Sequence, residues 1–163
     1  MDFLALLRRL TNHEVKFVIV GGYASTILGN DLLTQDLDVC VDLGSGNMNR
    51  LYDAITDLNP RNRMDPAKRS IDRTEATAPS IKNLYLLTDL GPLDCLGSVS
   101  GLGGFNSVRQ YARQIELEFG AIQTLDFEGL IKAKSELGRE KDRQTIQKLQ
   151  AIREKLKEQQ GKE

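Results

Sequence analysis

The chain has 163 residues, of which 40% are hydrophobic, enough for one domain with a buried core. No apolar run approaches the roughly 20 residues of a membrane-spanning helix, so we expect no membrane span. The N-terminal arginines follow the apolar stretch, whereas in a secretory signal the basic residues precede it. We therefore expect a cytoplasmic protein. The formal net charge of −1 provides no overall attraction for nucleic acid.

The N-terminal segment predicts a helix, a strand and a short second helix. Apolar residues recur at helical spacing from Phe3 to Leu10, which predicts a helix that ends near Asn12. Val15 to Val20 is nearly continuously apolar and rich in β-branched residues, as in a buried strand. A glycine pair interrupts that strand, and Tyr23 to Leu28 predicts a short helix ending at a Gly-Asn turn.

The next segment, Asp36 to Asp42, alternates polar and apolar residues, which is typical of a strand with one buried face. Asp36 and Asp38 then share a face, with Cα atoms roughly 6.5 Å apart. Two carboxylates so close repel each other without a cation. Because Mg²⁺ is commonly held by one or two carboxylates and the phosphates of a substrate, the strand predicts a divalent-metal site.

The middle of the chain predicts a helix and a hairpin separated by an irregular segment. Asn47 to Leu58 carries one apolar helical stripe. Arg61 to Pro79 is polar, contains two prolines and has no period, so we predict irregular structure there. Leu84 to Thr88 and Pro92 to Val99 predict the two strands of a hairpin. Asp94 lies near the start of the second strand.

A glycine-rich stretch, Ser100 to Phe105, predicts a loop. It lacks the GxGxxG spacing of a dinucleotide fold, so we assign it no cofactor role. A short helix is predicted from Asn106 to Arg113. Two short strands that turn at Gly120 then follow.

Two helices are predicted at the C-terminus, the first capped by Asp126 and the second beginning after Gly138, with a frayed end over residues 157–163. Basic residues crowd around their junction: Lys132, Lys134, Arg139, Lys141 and Arg143. Such a cluster is more often a solvated helix face than a binding site. We expect one domain over residues 1–163, with a core at about 13–126 and C-terminal helices at about 126–158.

Cysteine and histidine usage narrows the chemistry. Cys40 and Cys95 are far apart, without CxxC spacing, and we interpret them as small buried residues. His13 is the only histidine, which excludes a zinc site built on several imidazoles, and we interpret it as a surface residue.

Four segments together resemble the nucleotidyltransferase superfamily that shares the polymerase-beta fold: GGYA, TQDLDVCVD, GPLDCLGSV and KSELGREKD. The family pattern is a glycine pair opening a helix, two acids separated by one residue on the next strand, and a third acid on a later strand. This chain supplies Gly21 and Gly22, then Asp36 and Asp38, then Asp94.

Within that superfamily the chain more closely resembles the small AbiEii-type toxin proteins, which add a helix ending in a lysine, an arginine and a Lys-Asp pair. The matching residues are Lys134, Arg139, Lys141 and Asp142. Two departures stand out: Gly22 replaces the serine of many active members, and the stretch between Gly22 and Asp36 is at the long end of the usual spacing.

The resemblance implies an α+β fold, a mixed sheet flanked by helices, with the acids at one sheet edge and the C-terminal helices closing the cleft. It implies Mg²⁺ or Mn²⁺ bound by three carboxylates, with one ion between Asp36 and Asp38 and a second shared with Asp94. The implied catalytic residues are these three acids and Lys134. The implied nucleotide-binding residues are Gly21, Gly22, Tyr23, Thr34, Arg139 and Lys141.

The leading functional hypothesis is Mg²⁺-dependent transfer of a nucleoside monophosphate from a nucleoside triphosphate to an acceptor hydroxyl. The resemblance implies RNA, particularly a transfer RNA end, in a toxin–antitoxin-like context with a cognate antitoxin or partner protein; a protein hydroxyl stays open. The alternative is a non-catalytic nucleotide- or partner-binding module, such as one member of a toxin–antitoxin pair. A third hypothesis is adenylylation of a small aminoglycoside-like hydroxyl.

Overall fold

The computed structural model describes residues 1–161 and contains helices and strands along the whole of that range. Its α-helices are α1 (Phe3–Asn12), α2 (Gly21–Ile27), α3 (Ser45–Ile55), α4 (Arg73–Ala76), α5 (Phe105–Val108), α6 (Phe127–Leu137) and α7 (Glu140–Gln160). Its strands are β1 (Phe17–Val20), β2 (Leu37–Val41), β3 (Arg61–Asn62), β4 (Asn83–Thr88), β5 (Gly91–Leu96), β6 (Ser98–Val99), β7 (Gly103–Gly104), β8 (Ala112–Leu117) and β9 (Gly120–Leu125). Short 3₁₀ turns follow α3 and α5.

Seven strands form one mixed sheet in the order β3-β4-β5-β2-β1-β9-β8. The pairs β2–β5 and β1–β9 are parallel, and the other neighbouring pairs are antiparallel. The remaining strands, β6 and β7, form a small separate hairpin. The mixed sheet with its flanking helices confirms the predicted α+β fold class.

The core lies around the central strands. Every residue of β1 is buried, and on β2 the apolar residues Leu37 and Val39 are fully buried, as their alternation predicts. Cys40 and Cys95 are buried free cysteines, and burial raises the pKa of the Cys40 thiol to about 11. His13 is exposed at the end of α1, which confirms its interpretation as a surface residue.

The expectation that the acids lie at a sheet edge is wrong. β5 and β2 are the third and fourth of the seven strands, so their carboxylates lie in the middle of the sheet. Beyond β5 the sheet is extended by β4 and by the two-residue β3, which pairs Arg61 with Leu87. A strand this short has no periodicity from which it could be predicted.

Several local predictions differ from the structure. The stretch from Ser100 to Phe105, predicted to be a loop, contains β7. Arg61 to Pro79, predicted to be irregular, contains β3 and α4, whose N-terminus is capped by Asp72 through the backbone N–H of Glu75. The hairpin strand predicted to reach Val99 ends at Leu96. The helix predicted to reach Arg113 ends earlier, because Ala112 begins β8 and pairs with Leu125 of β9.

The C-terminal helices begin where predicted, with Asp126 accepting a hydrogen bond from the Gly129 N–H. Helix α7 continues to Gln160, so residues 157–160 are helical where fraying was predicted; residues 162–163 lie outside the described range. Among residues 1–161, no helix combines the length and the apolar character that crossing a bilayer requires.

Candidate active site

Two carboxylates stand side by side at the centre of the sheet. Asp38 of β2 and Asp94 of β5 are directly opposed partners in a parallel pair, so both side chains project from the same face. Asp36 precedes β2, and all three aspartates line one cleft. The sheet therefore gathers the three acids that the sequence singled out.

The carboxylate pair is electrostatically unfavourable. Burial, then the charges of Asp94 and Asp36, raise the pKa of Asp38 to about 7, while the charge of Lys134 opposes this rise. A carboxyl group with such a pKa holds a proton near neutrality unless a cation approaches. The centre of the sheet is thus a place where binding a cation relieves repulsion.

The glycine turn after β1 contacts this pair. Gly21 has φ of +67°, a conformation that L side chains rarely adopt, and a Cβ there would overlap Oδ2 of Asp38. A Cβ at Gly22 would lie 3.0 Å from the Thr34 hydroxyl oxygen, which donates a hydrogen bond to the Asp36 carbonyl. Gly21 is therefore required by close packing against Asp38, and a side chain at Gly22 would press on Thr34.

A basic wall faces the acids across the cleft. Lys134 of α6 lies here with Arg139 and Lys141, which flank the start of α7. Asp142, whose side chain is 1% exposed, accepts a 2.6 Å hydrogen bond from Arg139 Nε and lies 3.6 Å from Lys134 Nζ. The Arg139 hydrogen bond is the main reason that the pKa of Asp142 is lowered. Asp142 therefore anchors two of the three cations.

The cleft between these walls has a volume of about 990 Å³ and a charged and an apolar end. The apolar end is formed by the β6–β7 hairpin and α6, including Leu102, Leu130 and Leu137. A cavity of this size that combines convergent charged groups with apolar side chains is typical of a site for a small ligand or cofactor.

No protein-family model and no curated protein sequence matches the chain. Among solved structures it is similar to a proposed nucleotidyltransferase of Thermotoga maritima, with a TM-score of 0.54 and 17% identity over 97% of this chain and 96% of that one. The chain has the polymerase-beta-like nucleotidyltransferase fold. The narrower resemblance to AbiEii-type toxins rests on the sequence motifs alone.

Eight of the ten predicted site residues line the cleft of this nucleotidyltransferase fold: Asp36, Asp38, Asp94, Gly21, Gly22, Lys134, Arg139 and Lys141. Tyr23 and Thr34 do not. The Tyr23 ring packs edge-to-face on Phe3, with centroids 5.4 Å apart, because the third residue of α2 faces α1. Thr34 packs behind Gly22 instead of facing the cleft.

Sequence reasoning missed Arg63, which follows β3 and contacts Asp94. Its Nη2 atom donates to both Asp94 carboxylate oxygens, each at 2.5 Å. The hydrogen bond to Asp94 raises the pKa of Arg63, and the charges of Asp36 and Asp38 add to this rise. No signal in the sequence indicates this contact, because only the pairing of β3 with β4 brings Arg63 to β5.

The nucleotidyltransferase resemblance implies a divalent cation, for which the three acids are the candidate ligands. Among residues 1–161, no three Asp, Glu, His or Cys side chains are grouped as ligands of one ion, so a three-carboxylate cage is not preformed. Asp36 and Asp38 do fit the demand of Mg²⁺ for one or two carboxylates beside substrate phosphates. Neither of them forms an ion pair within the described residues.

Proposed function

We propose that the protein transfers a nucleoside monophosphate from a nucleoside triphosphate to an acceptor hydroxyl, with Mg²⁺ or Mn²⁺ as cofactor. One observation carries this proposal: Asp38 and Asp94 are paired in register on central strands and face a cleft whose opposite wall carries Lys134 and Lys141. Carboxylates opposite cations in one cleft suit a metal-bound polyphosphate, and the nucleotidyltransferase fold is consistent with that use.

The residues of the cleft would have separate roles in metal binding and phosphate binding. Asp36 and Asp38 would hold the divalent ion, which when bound neutralises phosphate charge and activates the α-phosphorus. Lys134 and Lys141 would bind phosphate oxygens, and the glycine pair leaves room for them. The acceptor hydroxyl would attack the α-phosphorus in line with the departing pyrophosphate.

RNA is the acceptor that we propose, with a transfer RNA end in a toxin–antitoxin-like setting as the specific case. A second groove of about 320 Å³ shares Lys134, Arg139 and Lys141 with the cleft and continues to Lys148 of α7. A row of cations leading away from the acids suits a polyanionic strand better than a small neutral acceptor.

A second candidate is a non-catalytic module that binds a nucleotide or a partner protein, such as an antitoxin. The Arg63–Asp94 ion pair favours it, because an acid already neutralised by an arginine is a weaker metal ligand. Calorimetry with nucleotides, with and without Mg²⁺, separates the candidates when it is combined with a transfer assay. Metal-dependent binding without transfer would support the module.

The proposal is tested by incubating the protein with each α-³²P-labelled nucleoside triphosphate, Mg²⁺ and a total cell extract. We expect label in the RNA fraction that survives protease and is lost on ribonuclease treatment. Label in the protein fraction would mean that the acceptor is a protein hydroxyl, while the proposed nucleotidyl transfer would still hold. No label with any of the four triphosphates, in Mg²⁺ or Mn²⁺, would contradict transferase activity.

A further inference from the structure

The contact between Arg63 and Asp94 is the tightest ion pair at the site. One guanidinium nitrogen serves both carboxylate oxygens at 2.5 Å, and the side chains of Arg63 and Asp94 are 29% and 9% exposed. A charged pair this close and this shielded from water is stronger than an exposed surface pair. Asp94 is thus neutralised by a group that belongs to the protein.

Arg63 is held in place along its length. Its backbone N–H donates to the Tyr85 carbonyl at 2.8 Å, and its own carbonyl accepts a hydrogen bond from Lys68 Nζ. The guanidinium carbon lies 5.8 Å from the centroid of the Tyr85 ring, and Tyr85 is the β4 partner of Asp94. The Nε atom is buried and has no hydrogen-bond partner within the described residues. Arg63 is therefore a fixed cation, unlike a surface arginine that can swing into solvent.

A fixed guanidinium at Asp94 changes how many ions the acids can hold. A divalent ion bound to Asp94 would lie close to a permanent positive charge, and like charges at that range repel strongly in a partly buried site. Asp36 and Asp38 have no such cation bound within the described residues. The arrangement leaves one position for a divalent ion, whereas the family resemblance implies two.

We propose that Arg63 is the resident cation of Asp94 and that the site therefore binds one divalent ion, at Asp36 and Asp38. This inference rests on the proposed function, because it concerns the metal of the same reaction. Arg63 is a positioning residue that acts through Asp94 and lies outside the cleft lining. Arg63 supplies to Asp94 the positive charge that a second divalent ion would otherwise provide.

The test counts Mn²⁺ ions bound by the full chain, using electron paramagnetic resonance of free Mn²⁺ during titration. The parent is expected to bind one ion. Arg63→Gln removes the charge and is expected to bind two, and Arg63→Gln combined with Asp94→Asn should return to one. Arg63→Lys keeps the charge and should bind one. Arg61→Gln is the matched control, because Arg61 lies on β3, two residues before Arg63, and pairs with Asp89 instead.

The outcomes separate this inference from the function on which it rests. A parent that binds two ions overturns the inference and leaves the metal-dependent reaction standing. A parent that binds no Mn²⁺ overturns both. An Arg63→Gln protein that melts cooperatively yet binds one ion means that Arg63 only stabilises the fold. If that variant fails to fold, the count for the parent and for Arg63→Lys still decides between one ion and two.

Discussion

Asp38 and Asp94 are opposed partners on the parallel strands β2 and β5, in the interior of a seven-stranded sheet. This position costs folding energy at Asp38, because burial and the neighbouring charge of Asp94 raise the free energy of its charged form. Fixed, destabilising arrangements of this kind are typical of functional sites, where a ligand relieves the repulsion. The pair therefore links the fold to the proposed chemistry.

Asp38→Asn is expected to stabilise the metal-free protein near neutral pH. The pKa of Asp38 is raised from 3.8 to about 7, so the folded state retains a proton that the unfolded state has released. The favourable contribution of this group is complete below its unfolded pKa and is lost as pH rises toward 7. Asparagine should remove this loss, raising the free energy of unfolding at pH 7.5 by on the order of 1–3 kcal/mol.

Urea unfolding in the presence of a chelator checks this prediction at pH 4 and pH 7.5. The gain should be small at the lower pH and larger at the higher one. A gain that is independent of pH, or a destabilised variant at pH 7.5, would show that burial and the neighbouring charges do not raise the pKa of Asp38.

Asp142→Asn is expected to destabilise the fold and loosen the basic wall. Asp142 is buried and accepts hydrogen bonds from the Arg139 side chain and backbone N–H. Losing its charge should lower the free energy of unfolding by about 2–3 kcal/mol. Because the pKa of Asp142 is lowered, its contribution is present above the ordinary carboxyl pKa and is lost as pH falls.

Glu140→Gln is the matched control for that variant. Glu140 pairs with Arg143 one turn along the same helix, but both side chains are well exposed. Its loss should cost no more than about 0.5 kcal/mol in thermal or urea unfolding. Equal costs for the two variants would mean that the burial of Asp142 does not strengthen its ion pairs.

Gly21→Ala is expected to disturb both the turn and the acids. A side chain at φ of +67° costs about 1–2 kcal/mol, and the new methyl group would overlap the Asp38 carboxylate. Gly46→Ala, in α3, is the control, because a Cβ there meets only Arg50 Nη1 at 3.5 Å. It should stabilise the helix by about 0.5–1 kcal/mol. In thermal melting, Gly21→Ala should lower the melting temperature and Gly46→Ala should raise it. An unchanged melting temperature for Gly21→Ala would contradict the close packing of Gly21 against Asp38.

Lys141→Gln is expected to weaken nucleotide binding without changing stability. Lys141 lines the cleft and forms no ion pair within residues 1–161, so its charge is available to a phosphate. We expect the Kd for a nucleoside triphosphate to rise roughly tenfold in calorimetry with Mg²⁺. Lys155→Gln removes an exposed lysine from the same helix and should leave Kd unchanged. If both variants bind alike, Lys141 does not contact the phosphates.

Local patterns were sufficient to predict most of the elements and the acids. The alternation in β2 fixes which side of the strand carries Asp38, and the strand signals around Gly91 place Asp94 in the hairpin partner. The glycine pair at the end of β1 marked a turn that the structure brings against the acids. Each of these signals spans only a few consecutive residues, so no contact between distant segments is needed to recognise it.

The features that sequence reasoning missed depend on contacts between distant segments. Arg63 reaches Asp94 because a two-residue strand joins the sheet beside β4, and no periodicity marks so short an element. Tyr23 faces Phe3 because of how α2 packs on α1, which the residues of α2 alone do not determine. The central position of the acids follows from the same extension of the sheet.

The most direct measurement compares nucleotide transfer by Asp38→Asn and Asp42→Asn with that of the parent, using labelled triphosphate and the RNA fraction of a cell extract. Asp42 follows β2 on the same alternation, but it lies outside the cleft and hydrogen-bonds to the Gly44 N–H. With both variants shown to be folded, Asp38→Asn should lose at least about 100-fold in rate and Asp42→Asn should keep the parent's rate. Transfer by Asp38→Asn at the parent's rate would contradict a reaction carried out at the Asp38–Asp94 pair.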